Sequence, residues 1–139
     1  MFDTHRFAAA LIEDATPETA TFYGLQLNAD APLHLPCVVI DVTGATDVAN
    51  GRLYDAANFT VNVQVYGDDV TDTYDVALLI WETVREFWRR GYKNDYGYIS
   101  HIRVNSTGPV QTPSTLDADD SARFDIIFNL VARATTPKE

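Results

Sequence analysis

Along 57–67 the chain reads ANFTVNVQVYG, in which Phe59, Val61, Val63 and Val65 alternate with Asn58, Thr60, Asn62 and Gln64. A period of two belongs to a strand with one face against a core. The pattern therefore predicts a strand whose second face is amide and hydroxyl, with no charge. The run 35–43, LPCVVIDVT, is apolar almost throughout and reads as a strand buried on both faces. Alternation returns over 99–106 and again over 122–133. In the last segment Phe124, Ile126, Phe128 and Leu130 fall inside, while Arg123, Asp125, Asn129 and Arg133 line most of the outer side. The stretch 21–27 fits a short strand or a packed loop.

Two segments carry the helical period instead. Asp3 or Thr4 suits the N-cap of a short helix with Phe7, Ala10 and Leu11 on its apolar face, ending before Pro17. The principal helix is expected over 68–90. Asp68, Asp69 and Asp72 stand where a helix N-terminus favours negative charge, and Arg85, Arg89 and Arg90 where the C-terminus favours positive charge. Tyr74, Ala77, Leu78, Trp81, Val84 and Trp88 recur at helical spacing and predict the buried stripe. Tyr74, Leu78, Trp81, Phe124 and Phe128 are thus the expected large core side chains, and Gly91 supplies the stop.

The polar stretch 44–56 contains Asn50-Gly51, a pair that tolerates a tight hairpin turn; it reads as an extended, mobile hairpin arm or as a plain surface loop. Pro, Thr, Ser and Asp dominate 108–121, which reads as a loop, and 135–139 as a frayed tail. The expectation is one α+β domain over 1–139. It comprises a mainly antiparallel sheet of about four or five strands, one long helix on a face, a short N-terminal helix and the arm.

Charge narrows the partners. Twenty acidic residues against ten basic ones give a net charge of -10, which argues against a bound nucleic acid, whose phosphates need clustered Lys and Arg. No basic and apolar leader precedes the first helix, and the longest apolar run is too short to span a membrane. The lone Cys37 sits in an apolar run and reads as a small buried hydrophobe rather than a nucleophile. His5, His34 and His101 have no metal-ligand spacing, and neither Asp68, Asp69, Asp72 and Asp75 nor Asp117, Asp119 and Asp120 match a calcium loop. A phosphate loop and a nucleophile elbow are also missing. The expectation is a protein without catalytic residues, cofactor or metal. One alternative rests on shape, a small cone-shaped α+β enzyme or ligand-binding protein of the ketosteroid-isomerase type, with Asp41, His101 and Asp125 as candidate acids or bases, although Asp125 falls on the outer side of its strand.

The element order, together with LPCVVIDVTG, NFTVNVQVYG, YDVALLIWETVREF and RFDIIFNLVAR, resembles the tail terminator proteins of long-tailed phages, most closely those of phages infecting actinobacteria. The likeness spans roughly 2–133. It implies a virion subunit, assembled in the host cytoplasm, that forms a hexameric ring on the head-proximal end of the tail tube. Such a ring stops tube polymerisation and offers a surface to the head–tail connector. The implied partners are further copies of the chain, the major tail tube protein and the connector, with DNA passing through without specific binding. A closed ring needs two different patches that meet head to tail. An uncharged polar strand side can be buried against a neighbour at less cost than a charged one, so Asn58, Thr60, Asn62 and Gln64 are the expected subunit contact. Arg52, Leu53 and Tyr54 of the arm are expected to touch the tube or a neighbour.

Overall fold

The structure, a computed structural model, describes residues 3–25, 34–47, 56–113 and 122–134. In chain order the elements are α1 (Thr4–Ala15), β1 (Thr21–Gly24), β2 (Cys37–Asp47), β3 (Ala56–Gly67), α2 (Val70–Arg89), β4 (Gly97–Ile102), β5 (Thr107–Thr112) and β6 (Ala122–Ala134). The six strands form one sheet in the order β1-β2-β3-β6-β4, with β5 also on β6. β1 and β2 run parallel and the other pairs antiparallel. The fold is α+β with two helices on a mixed sheet.

The helices begin where their caps dictate. The Asp3 side chain accepts from the Arg6 N–H at 3.0 Å, and Asp69 accepts from the Asp72 N–H at 2.9 Å, each satisfying a donor that the first turn leaves free. α1 buries Phe7, Ala8, Leu11, Ile12 and Ala15; α2 buries Thr73, Val76, Ala77, Ile80 and Val84. Both lie against the sheet face made by Val38, Ile40, Phe59, Val61, Val63, Val65, Phe124, Ile126, Phe128 and Leu130.

The stripe on α2 keeps Ala77 and Val84 of the one its sequence suggests but is turned toward Thr73, Val76 and Ile80. Tyr74 is 40% exposed, and Leu78 and Trp81 are only half-buried. Side chains of small or medium size fill the line directly beneath the helix, where the backbone lies nearest the sheet. The large rings reach over the margin instead: Tyr74 packs edge-on against Phe124, centroids 5.4 Å apart, and Trp81 stacks on Phe128 at 5.2 Å. Phe124 and Phe128 are buried as expected.

The stretch expected as a loop from residue 108 starts with a strand. β5 pairs with β6 through Val110↔Asp125, Gln111↔Phe124 and Thr112↔Arg123; residues 114–121 lie outside the described residues. Proline lacks the N–H that a ladder uses and is confined to edges and bulges. Pro109 meets that condition, because the register shifts between Thr107 and Val110. The strand count exceeds the expected four or five because β1 and β5 both join the sheet. The expected arm is also shorter at its ends: β2 continues to Asp47 and β3 starts at Ala56. Gly44, at φ +68°, turns a bulge between Thr43 and Thr46. The rest of the arm, with Arg52, Leu53 and Tyr54, lies outside the described residues.

β4 and β5 follow one another along the same side of β6, from Gly97↔Ala134 to Thr112↔Arg123. Between them residues 103–106 step out of the ladder, leaving Val104 fully exposed.

Candidate interaction face of the sheet

With both helices on one side, the other side of the sheet is a surface whose rows follow from the register. Asp41, Asn62, Ile127 and Thr107 form one row across β2, β3, β6 and β5. Val39, Gln64, Asp125 and Val110 form the next. On the far side of the first row, Thr43 and Thr60 lead to Asn129. Near β1 the face is closed by a small cluster of Cys37, Val39 and Tyr66 with Tyr23 and Leu35 packed on it.

Asn58, Thr60, Asn62 and Gln64 are all half-buried on this face, as the alternation requires. Three of them already have partners within the chain. The Thr60 hydroxyl donates to Asn129 Oδ1 at 2.6 Å, the Tyr66 hydroxyl to Gln64 Oε1 at 3.0 Å, and Arg103 Nη1 to Asn58 Oδ1 at 3.0 Å. Asn62 differs: its Oδ1 is withdrawn from solvent and has no hydrogen-bond partner. An acceptor in that state costs about 1–3 kcal/mol.

Asn129 is a residue whose role the sequence reading missed. Its backbone carbonyl accepts from the Arg103 N–H at 2.8 Å, its N–H donates to Ser106 Oγ at 2.9 Å, and its Nδ2 donates to the Asn105 carbonyl at 3.2 Å. One asparagine thus holds the whole 103–106 excursion. The only sequence signal was a polar residue on the outer side of an alternating strand. Beside it lies a depression of ≈ 200 Å³ bordered by Gly44, Asn58, Thr60, Arg103, Asn105 and Asn129.

β3 adds no charge to the face, whereas its neighbours bring Asp41, Arg103, Arg133 and the pair Arg123 and Asp125. Arg123 and Asp125 form a two-pronged pair at 2.8 and 3.0 Å with both side chains only 15% exposed, and the guanidinium lies over the Tyr66 ring. Donating to the Asp125 carboxylate raises the Arg123 pKa above its usual value.

The three residues of the enzymatic alternative are not brought together. Asp41 is exposed on β2, Asp125 is engaged by Arg123, and His101 sits on β4 against Trp88 with ring centroids 5.5 Å apart. β3 and β6 separate β2 from β4, and the space between helices and sheet is filled by fully buried side chains such as Phe7, Leu11, Val61, Ile126 and Phe128. Cys37 is buried, and burial pushes its thiol up to about 11, away from the thiolate range. Among the described residues no group of three or more His, Cys, Asp or Glu is placed to share a metal ion, and no helix is long and apolar enough to cross a membrane. No protein-family model matches the chain, and a search of curated proteins finds no match.

Proposed function

We propose that the chain is a ring-forming structural subunit of a long-tailed phage, seated at the head-proximal end of the tail tube. There it ends tube growth and presents a surface for head–tail joining, meeting the tube protein on one side and the connector on the other. The observation that carries the self-association in this reading is the row Asn58, Thr60, Asn62 and Gln64 on the sheet face away from the helices, half-buried and without charge along β3. A neighbouring subunit covers that row without the desolvation cost that ions on β3 would add. The place in the virion comes from the resemblance of the sequence to tail terminators.

The test is the double variant Asn62→Asp, Gln64→Glu. Val61, Val63 and Val65 still face the core, so circular dichroism is expected to stay native. Each interface of the ring then buries unpaired carboxylates at several kcal/mol apiece, and light scattering is expected to show single subunits. In particles, tails lose length control and fail to join heads. A folded double variant that assembles as the parent does removes this face from the interface.

A further inference from the structure

We infer that the sheet carries complementary patches at its two ends, and that the basic corner of one copy receives the acidic start of α2 from a second copy. The inference rests on the self-association proposed above and names a further pair of surfaces that meet between copies.

The basic corner is built by strand register. Tyr98 pairs with Arg133 on one side and bridges to Lys93 on the other, so a tyrosine that is 39% exposed stands between two cations. Arg103 is the next cation toward the middle of the face. Its Nη1 donates to Asn58 Oδ1, and the residue borders the ≈ 200 Å³ depression together with Asn58, Thr60, Asn105 and Asn129 and with Phe59 and Leu130. Lys93, Arg103 and Arg133 form no ion pair among the described residues. In a chain with ten Lys and Arg in all and a net charge of -10, these three cations gather toward this end of the sheet, with the exposed Asp95 near Lys93. A carboxylate is the group that such a corner holds best, since a guanidinium offers it paired donors.

The matching patch lies at the other end of the same strands. β3 and β6 run from Ala56↔Arg133 to Gly67↔Ala122, roughly 36 Å at about 3.3 Å per residue. The chain leaves Gly67 directly into Asp68, Asp69, Val70, Asp72, Tyr74 and Asp75. Asp68, Asp72 and Asp75 are exposed and form no ion pair among the described residues, and Val70 and Tyr74 are 49% and 40% exposed beside them. Each patch is therefore an exposed apolar or aromatic side chain with charges around it, and the charges are opposite. Separated by the length of the sheet, they cannot meet within one copy. Between copies they meet head to tail, the arrangement that generates rings or filaments rather than two-fold dimers. A nucleic acid would match the cations but leave Val70 and Tyr74 without a counterpart.

The experiment uses the whole chain and two charge-reversed variants, Lys93→Glu with Arg133→Glu, and Asp68→Lys with Asp75→Lys. Asp69 is left in place because it caps α2. Association is followed by analytical ultracentrifugation at increasing sodium chloride, with circular dichroism as the control for folding. The parent is expected to associate at low salt and to weaken at least tenfold as screening tightens from about 10 Å at 0.1 M to about 3 Å at 1 M. Each variant alone is expected to remain single, because in the first both patches are acidic and in the second the start of α2, with Asp69 and Asp72 kept, has no net charge left for the basic corner to attract. An equimolar mixture of the two is expected to associate again. Parent assembly that resists salt and tolerates both variants, yet fails with Asn62→Asp, Gln64→Glu, overturns this pairing and leaves the proposed function intact. A parent that stays single at every concentration overturns both. A folded mixture that does not associate, or a parent that binds duplex DNA through Lys93 and Arg133, also overturns the pairing.

Discussion

Gly67 ends β3 where the chain turns into α2, and a side chain there has no room. A Cβ added to Gly67 meets the hydroxyl oxygen of Thr73 far inside contact distance, and the Thr73 Cβ at 3.2 Å. Thr73 cannot swing aside freely, for it is buried and its hydroxyl donates to the Asp69 carbonyl at 2.6 Å within the first turn of α2. Gly67→Ala is therefore expected to destabilise by about 1–3 kcal/mol, the usual range for overpacking. Thr73→Ala alone loses that hydrogen bond, about 1 kcal/mol. It also removes the hydroxyl that the new methyl would strike, leaving the Cβ contact at 3.2 Å, which a small shift relieves. The double variant is then expected to be more stable than the sum of the two losses, with a coupling of about 1–2 kcal/mol. Urea denaturation of the four chains measures it, with a common m value as the control for two-state behaviour. Strictly additive losses would show that the strand end and the helix start are not in the contact described.

Two further outcomes follow from burial. On α2, Ile80→Ala is expected to cost about 2–5 kcal/mol as a fully buried side chain, Trp81→Ala less, and the half-exposed Tyr74→Ala least; denaturation midpoints in the reverse order would put the stripe back where the aromatic spacing suggests. Cys37 is expected to ignore an aromatic disulfide reagent at neutral pH until the chain is unfolded. Because burial raises its pKa from 9.0 to about 11, both states hold the proton below pH 9. Between about pH 9 and 11 the unfolded chain releases it first, so stability declines there; a Cys37→Ala variant that loses stability equally over that interval refutes the assignment.

The parts of the fold that were legible in the sequence are those where one local rule acts alone. β3 and β6 alternate because one face is covered and the other is not, and α1 starts at Asp3 because the carboxylate caps it. The half-buried polar row on β3 was legible for the same reason. What tertiary packing decides was not. Thr107–Thr112 contains Gly108 and Pro109 and has no strand signature, yet β6 supplies it with a partner and Gly108 supplies the space into which Trp81 fits. The helix stripe is broad: Ala77 and Val84 lie in it as their spacing suggests, but Val76 and Ile80 take the places beneath the helix that the larger rings were expected to fill. The site's organiser, Asn129, was hidden because its partners at 103–106 continue an apparently alternating segment that in fact leaves the ladder.

The position of β6 has a consequence for the order in which the chain acquires its structure. It is the last of the described strands in sequence, yet it lies between β3 on one side and β4 and β5 on the other. Until it emerges from a ribosome, β4 and β5 have no ladder to join, and β3 has only β2. Contacts so distant in sequence are slow to form because a long loop must close first. Synthesis therefore leaves α2 without Phe124, Ile126 and Phe128 beneath it until late, so part of its apolar face waits exposed, whereas α1 packs on β1, β2, β3 and α2. A partly made chain of this kind has neither its core nor the polar face on which neighbours are proposed to assemble, so self-association is deferred until the sheet is complete.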